Sequence, residues 1–157
     1  LLRLIFTAYQ NPSLARAVGL TDGFPLIAYR SVAKNLELTA DNAEKMAEIV
    51  LDAGGDRLGL DDATLRKIRD YNEDLDRLTK LAVEAVVDPD FEKALEAQSI
   101  FYDLSDRELS LLKDLPDMNK KRLLQVREVL VALQQTAEYA VRNLEIAFNL
   151  ALHEESE

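Results

Sequence analysis

The chain contains no cysteine and no tryptophan. Without cysteine there is no disulfide framework, no thiolate metal site and no thiol nucleophile, and a reducing cytoplasm is the expected compartment. The one histidine, His153, stands in a charged C-terminal stretch with no second imidazole to complete a chelate, so it is assigned no role. A carboxylate-bridged di-metal oxidase needs Glu-x-x-His on two helices and fails on the same count. Five glycines and four prolines in 157 residues, with no strict alternation and few β-branched runs, leave helices as the periodic signal. No apolar run reaches the roughly 18 residues of a spanning helix. Arg3 interrupts the stretch Leu1 to Phe6, and no signal peptide is read there. Gly54-Gly55 lacks the Lys and Ser/Thr of a phosphate-cradling loop. Neither a nucleophile beside a base nor a Gly-x-Ser-x-Gly elbow can be found, so no catalytic residue is assigned and the chain is not expected to be an enzyme.

What the chain has in excess is acid. Asp and Glu number 29 against 19 Lys and Arg, a net charge of -10, which repels phosphate backbones and argues against direct contact of this segment with nucleic acid. The apolar share of 48% is enough for a normal buried core without disulfides or metal as staples.

The breakers divide the chain into helices. Asn11-Pro12-Ser13 interrupts a first helix and Gly19 to Pro25 ends it, with Pro25 suited to the first turn of a second helix running to about Leu51. Gly54-Gly55 closes that helix, and Asp61 or Asp62 caps a third that continues to about Val87. Pro89 opens a fourth helix reaching about Leu115. Pro116 separates it from a fifth, Met118 to about Leu152, before a frayed charged tail.

A shift of 97 residues lays Arg30, Leu36, Thr39, Ala40, Ala43 and Glu48 on Arg127, Leu133, Thr136, Ala137, Ala140 and Glu145. The fifth helix carries an apolar seam at Leu123, Val126, Leu130, Leu133, Ala137, Ala140, Leu144, Ala147 and Ala151, in steps of three and four. The second helix repeats it at Leu26, Tyr29, Ala33, Leu36, Ala40, Ala43, Ala47 and Val50, and the small residues there allow close approach of a partner helix. The expectation is an all-α fold of two related antiparallel bundles. Residues 1–53 form a partial first bundle lacking its leading helix, 54–61 a linker, 62–152 a complete three-helix second bundle and 153–157 a charged tail. The chain opens in helical register at Leu1, which reads as the C-terminal part of something longer.

On the second helix Glu37 and Asp41 share a face, and Glu44 and Glu48 extend the stripe. Like charges at this spacing cost an isolated helix about 0.2–0.5 kcal/mol per pair, a cost that a divalent cation or a basic partner removes. A solvated face of an acidic protein shows the same pattern. Arg30 and Arg127 hold equivalent positions before the acids, suited to an anion or to interhelical pairing.

The stretch Tyr29 to Glu48, with its Leu36-Glu37-x-x-x-Asp41 core and short acidic end, resembles the signature helix of the PhoU family of phosphate-uptake regulators. Leu133 to Glu145 resembles the same signature in a second bundle, and the likeness extends over essentially the whole chain. The resemblance implies metal ligands at Glu37 and Asp41, and at Gln134 and Glu138, where a neutral amide and a longer acid depart from the pattern. Asn42, Glu44 and Glu145 are weaker candidates for the same shell. It further implies iron, zinc or another divalent ion as cofactor, and docking on a phosphate transporter ATPase, a sensor kinase or both. A homodimer, a cytoplasmic location and a role in restraining phosphate uptake follow from it too. A small AbrB-like DNA-binding domain preceding two such bundles would match the absent start. The rival is a metal-free docking or dimerisation bundle appended to a transcription factor, transporter or channel.

Overall fold

The computed structural model describes residues 7, 10–17, 24–55, 57–88 and 91–154. Five α-helices are described and no strand is found among these residues: α1 (Pro12–Ala17), α2 (Phe24–Asp52), α3 (Asp62–Val87), α4 (Phe91–Lys113) and α5 (Lys120–Glu154). The fold is an all-α helical bundle. The apolar opening stretch, the break before residue 24, the expected role of Pro89 and the last three residues lie outside the described residues.

Local chemistry accounts for the helix ends. Asn11 caps α1, its side-chain oxygen accepting from the amides of Ser13 and Leu14 at 3.2 and 3.3 Å. The following Pro12 starts the helix at a position where no amide is needed. At the end of α2, Gly54 donates to the carbonyl of Leu51 at 2.9 Å and Gly55 to that of Val50 at 3.0 Å. Both have positive φ, +83° and +69°, completing a Schellman turn that a side-chain-bearing residue would strain. Arg122, at the start of α5, donates to the carbonyl of Ala53 at 3.3 Å and so tethers this turn to the last helix. Asp61 then caps α3 by accepting from the amide of Thr64 at 2.7 Å, and this bond holds its carboxyl below the usual range. Leu58 and Leu60, between the two caps, are buried in the core.

Helices α3, α4 and α5 form one packed group, with α3 contacting both of the others closely. Helix α2 lies along α5 and scarcely touches α3, which leaves an open groove between them. The core is continuous over all four long helices, from Ala28, Val32 and Ile49 of α2 through Tyr71, Leu75 and Leu78 of α3 and Leu104 of α4 to Leu130, Leu144 and Leu150 of α5. Seven of the nine expected seam positions of α5, Val126 to Ala147, are buried, while Leu123 is exposed and Ala151 half-buried.

The expected seam of α2 is not the one used. Tyr29, Leu36, Ala40, Ala43, Ala47 and Val50 are exposed, Ala33 is half-buried and Leu26 alone is fully buried. The stripe against α5 is Ala28, Val32, Asn35, Thr39, Asn42, Met46 and Ile49, the same 4-3 spacing moved by one residue. One residue is about 100° around a helix. The physical reason is a pair of hydrogen bonds: Asn35 Nδ2 donates to Asn143 Oδ1 at 2.8 Å and Asn42 Nδ2 to Thr136 Oγ1 at 3.2 Å. Since 35 + 143 = 42 + 136 = 178, the two clasps share one antiparallel register and stand one heptad apart on each helix.

Candidate functional site

The acidic edge of α2 is built as the sequence suggests. Glu37, Asp41, Glu44 and Glu48 are all exposed on the face beside the outward apolar stripe. Glu37 accepts from Lys34 Nζ at 3.0 Å, one turn before it, with both side chains about half exposed. A pair of that exposure contributes about 0–1 kcal/mol and leaves the edge acidic. Asn42, one of the weaker candidate ligands, is instead buried at 7% exposure and occupied by Thr136, so it belongs to the helix interface and not to a metal shell.

The second pair is placed differently. Gln134 and Glu138 are half-buried on α5, and Glu138 lies 3.8 Å from Arg142. Arg142 also stands over the ring of Tyr139 at 5.3 Å. Glu138 is near Glu108 of α4, whose carboxyl is pushed above the ordinary range by burial and, secondly, by the charge of Glu138. In the register of α2 on α5, Glu138 falls at the level of residue 40 (178 − 138), beside Asp41 along the bundle axis. The levels agree but the faces do not, since Glu138 turns toward α4 while the α2 acids point outward. The two pairs, expected as separate motifs, stand on separate faces, and among the described residues no group of three or more His, Asp or Glu side chains has metal-holding geometry. Arg30, Arg127 and Glu145 are exposed. His153 packs its ring against Phe24 at 4.9 Å, closing the end of the α2–α5 pair.

Two recesses accompany these residues. The groove between α2 and α3, about 360 Å³, has Leu133 and Thr136 of α5 beneath it, Ala43 and Met46 on one wall and Glu73, Asp76 and Thr79 on the other. A second, about 460 Å³ between α3 and α4, is lined by Lys67, Asp70, Asp74, Arg107 and Ser110. Its cations are engaged: Arg107 pairs with Asp74 and Lys67 with Asp114 at 2.6 Å. Beside it Tyr71 is buried under Arg107, 5.9 Å from the ring centroid. Burial, and then the charge of Glu108, raise its phenol to about 12, against the opposing effect of Arg107. Ser110 of this recess also donates to the Asp114 carboxylate, at 3.5 Å.

Sequence reasoning missed Asn35, Asn143 and the α5 role of Thr136. Their signal was present in the spacing: one heptad separates Asn35 from Asn42 and Thr136 from Asn143. Comparison of the chain with protein-family models, with curated proteins and with solved structures returns no match in any of the three.

Proposed function

We propose that this chain is a regulatory binding module that works through protein partners, of the type that restrains phosphate uptake. The observation that supports this is the outward face of α2, an apolar stripe from Tyr29 to Val50 with an exposed edge of four carboxylates along it. A partner for such a face is an apolar helix flanked by Lys or Arg, and charge complementarity there governs encounter and register. The resemblance of Tyr29–Glu48 and Leu133–Glu145 to PhoU helices supplies the identity of the partner: the ATPase of a phosphate transporter, a sensor kinase, or both, engaged by a homodimer in the cytoplasm. Metal ions at Glu37 and Asp41 remain part of that resemblance. Two carboxylates on one turn of α2 make a partial shell, to be completed by groups beyond those described.

The test is binding of the purified chain to a purified phosphate-transporter ATPase by calorimetry at low and moderate salt. Glu37→Lys/Glu44→Lys is expected to weaken binding by about tenfold and to flatten its salt dependence. No binding by the native chain, or binding indifferent to the charge reversal, would refute the reading. The second reading is a metal-free docking module of a transcription factor, transporter or channel. Metal analysis of the native chain purified without chelator separates the two: stoichiometric iron or zinc lost in Glu37→Ala/Asp41→Ala removes the metal-free reading.

A further inference from the structure

Helix α2 carries two stripes of identical spacing, one residue apart. The stripe turned to α5 contains buried Asn35 and Asn42 with half-buried Thr39 between them, whereas the other stripe is exposed at Tyr29, Leu36, Ala40, Ala43, Ala47 and Val50 and half-buried at Ala33. Each stripe has three large apolar side chains, Val32, Met46 and Ile49 on the inner and Tyr29, Leu36 and Val50 on the outer, so apolar burial scarcely distinguishes them. By hydrophobic pattern alone the outer stripe is the better seam. The difference lies on α5. Asn143 and Thr136 are buried at 1% and 7% exposure, and Thr136 already donates its hydroxyl to the carbonyl of Ala132 at 2.9 Å, which turns an oxygen lone pair toward Asn42. If α2 turned by about 100°, Leu36 and Ala43 would come to these positions; Asn143 would be buried without its partner and Thr136 would keep only its bond to the Ala132 carbonyl.

We infer that the Asn35–Asn143 and Asn42–Thr136 clasps are a rotational lock: they hold α2 with its polar stripe inward, against an alternative packing that buries the stripe from Tyr29 to Val50. The lock keeps the apolar stripe and the acidic edge on the surface together, and removing its α5 half releases the helix to turn. Buried amides at seam positions fix register in helical assemblies in the same manner, by penalising the competing arrangement more than the observed one. The inference stands on the helix interface and does not depend on the proposed partner.

The chain has no tryptophan, so a single indole reports one position. Leu36→Trp places it on the outer stripe and Met46→Trp on the inner. With the native clasps, the indole of Leu36→Trp is expected to be readily quenched by acrylamide and that of Met46→Trp protected. Adding Asn143→Leu/Thr136→Val is expected to reverse the order, protecting the first several-fold and opening the second. Unchanged quenching at both positions, or simultaneous opening of both with α2 leaving the bundle, overturns the inference. The near-isosteric Thr136→Val alone is expected to give a partial change in the same sense. Should the double variant lose its helical circular dichroism, an unchanged signal in this single variant is equally fatal.

Discussion

Asn143→Leu is the most informative single perturbation of the fold. Asn143 is 1% exposed and receives the amide of Asn35, itself 8% exposed, at 2.8 Å. Replacing it with leucine keeps the branching at Cγ, removes the acceptor and adds the bulk of two methyl groups. If α2 keeps its rotation, Asn35 faces hydrocarbon. If α2 turns, Asn35 reaches water but Thr136 loses Asn42. The first outcome leaves a buried amide without its partner, which costs about 1–3 kcal/mol; the second costs less, since Thr136 keeps its bond to the Ala132 carbonyl. For a chain of this length each kcal/mol lowers the melting temperature by roughly 2–4 °C, so a central loss of about 2 kcal/mol corresponds to roughly 4–8 °C. Asn35→Leu on its own strands Asn143 and is expected to cost a similar amount. The double variant Asn35→Leu/Asn143→Leu strands nothing and replaces an amide pair by an apolar contact, which is expected to bring stability back to within about 1 kcal/mol of the native chain. Urea melts followed by circular dichroism on the four proteins close the cycle, with an expected coupling of about 3–4 kcal/mol. Simple additivity of the two single losses would refute the clasp as a unit, and with it the account of why α2 presents this face to α5.

Leu78, fully buried on α3, sits in the core common to the long helices, and Leu78→Ala is expected to destabilise by about 2–5 kcal/mol in the same melts, the largest loss of any leucine truncation on α2 or α3. Glu108 has its carboxyl raised by burial and by Glu138, so the folded chain holds its proton more tightly than the unfolded chain, and stability falls as pH rises from the ordinary carboxylate value through the raised one. Glu108→Gln is expected to raise the melting temperature at pH 7 relative to the native chain and to leave it unchanged at acidic pH. Tyr71 works in the same sense at the alkaline end. With its phenol raised to about 12, stability declines between pH 10 and 12, and one of the five tyrosines is expected to ionise late in an absorbance titration that Tyr71→Phe abolishes.

The helix ends were legible because they depend on near neighbours. Asp61 before an apolar-periodic run and Gly54-Gly55 after one each determine a cap through atoms within five residues, and the observed bonds are these; Asn11-Pro12, read as an interruption, proves to cap α1. The α5 seam was legible for a related reason: α5 packs against three helices, so a broad arc of its surface is buried and a small error of phase does no harm. Exposure of Glu37 and Asp41 followed from their charge alone.

The rotation of α2 was not legible, and the cause is specific. A helix touching one neighbour buries a narrow stripe, so an error of one residue decides between core and solvent. Periodicity counts Ala40, Ala43 and Ala47 as apolar and Asn35 and Asn42 as polar, and it therefore selects the outer stripe. The determinant lies 108 and 94 residues away, in Asn143 and Thr136, and acts only once the two helices are antiparallel in register. The repeat of 97 residues could not reveal this either. It aligns Asn42 with Tyr139 and Glu37 with Gln134 as equivalents along two similar helices, whereas an antiparallel pair brings residue i to the level of 178 − i. Glu37 consequently lies level with Val141 and Gln134 with Glu44, and equivalence in the repeat carries no promise of meeting in space. The two copies of the motif were expected as separate sites, one to each bundle, so their standing apart does not decide for or against either. Here the helices share an interface of amides, and the acids of α2 stand outside it, which is where a partner's cations would find them.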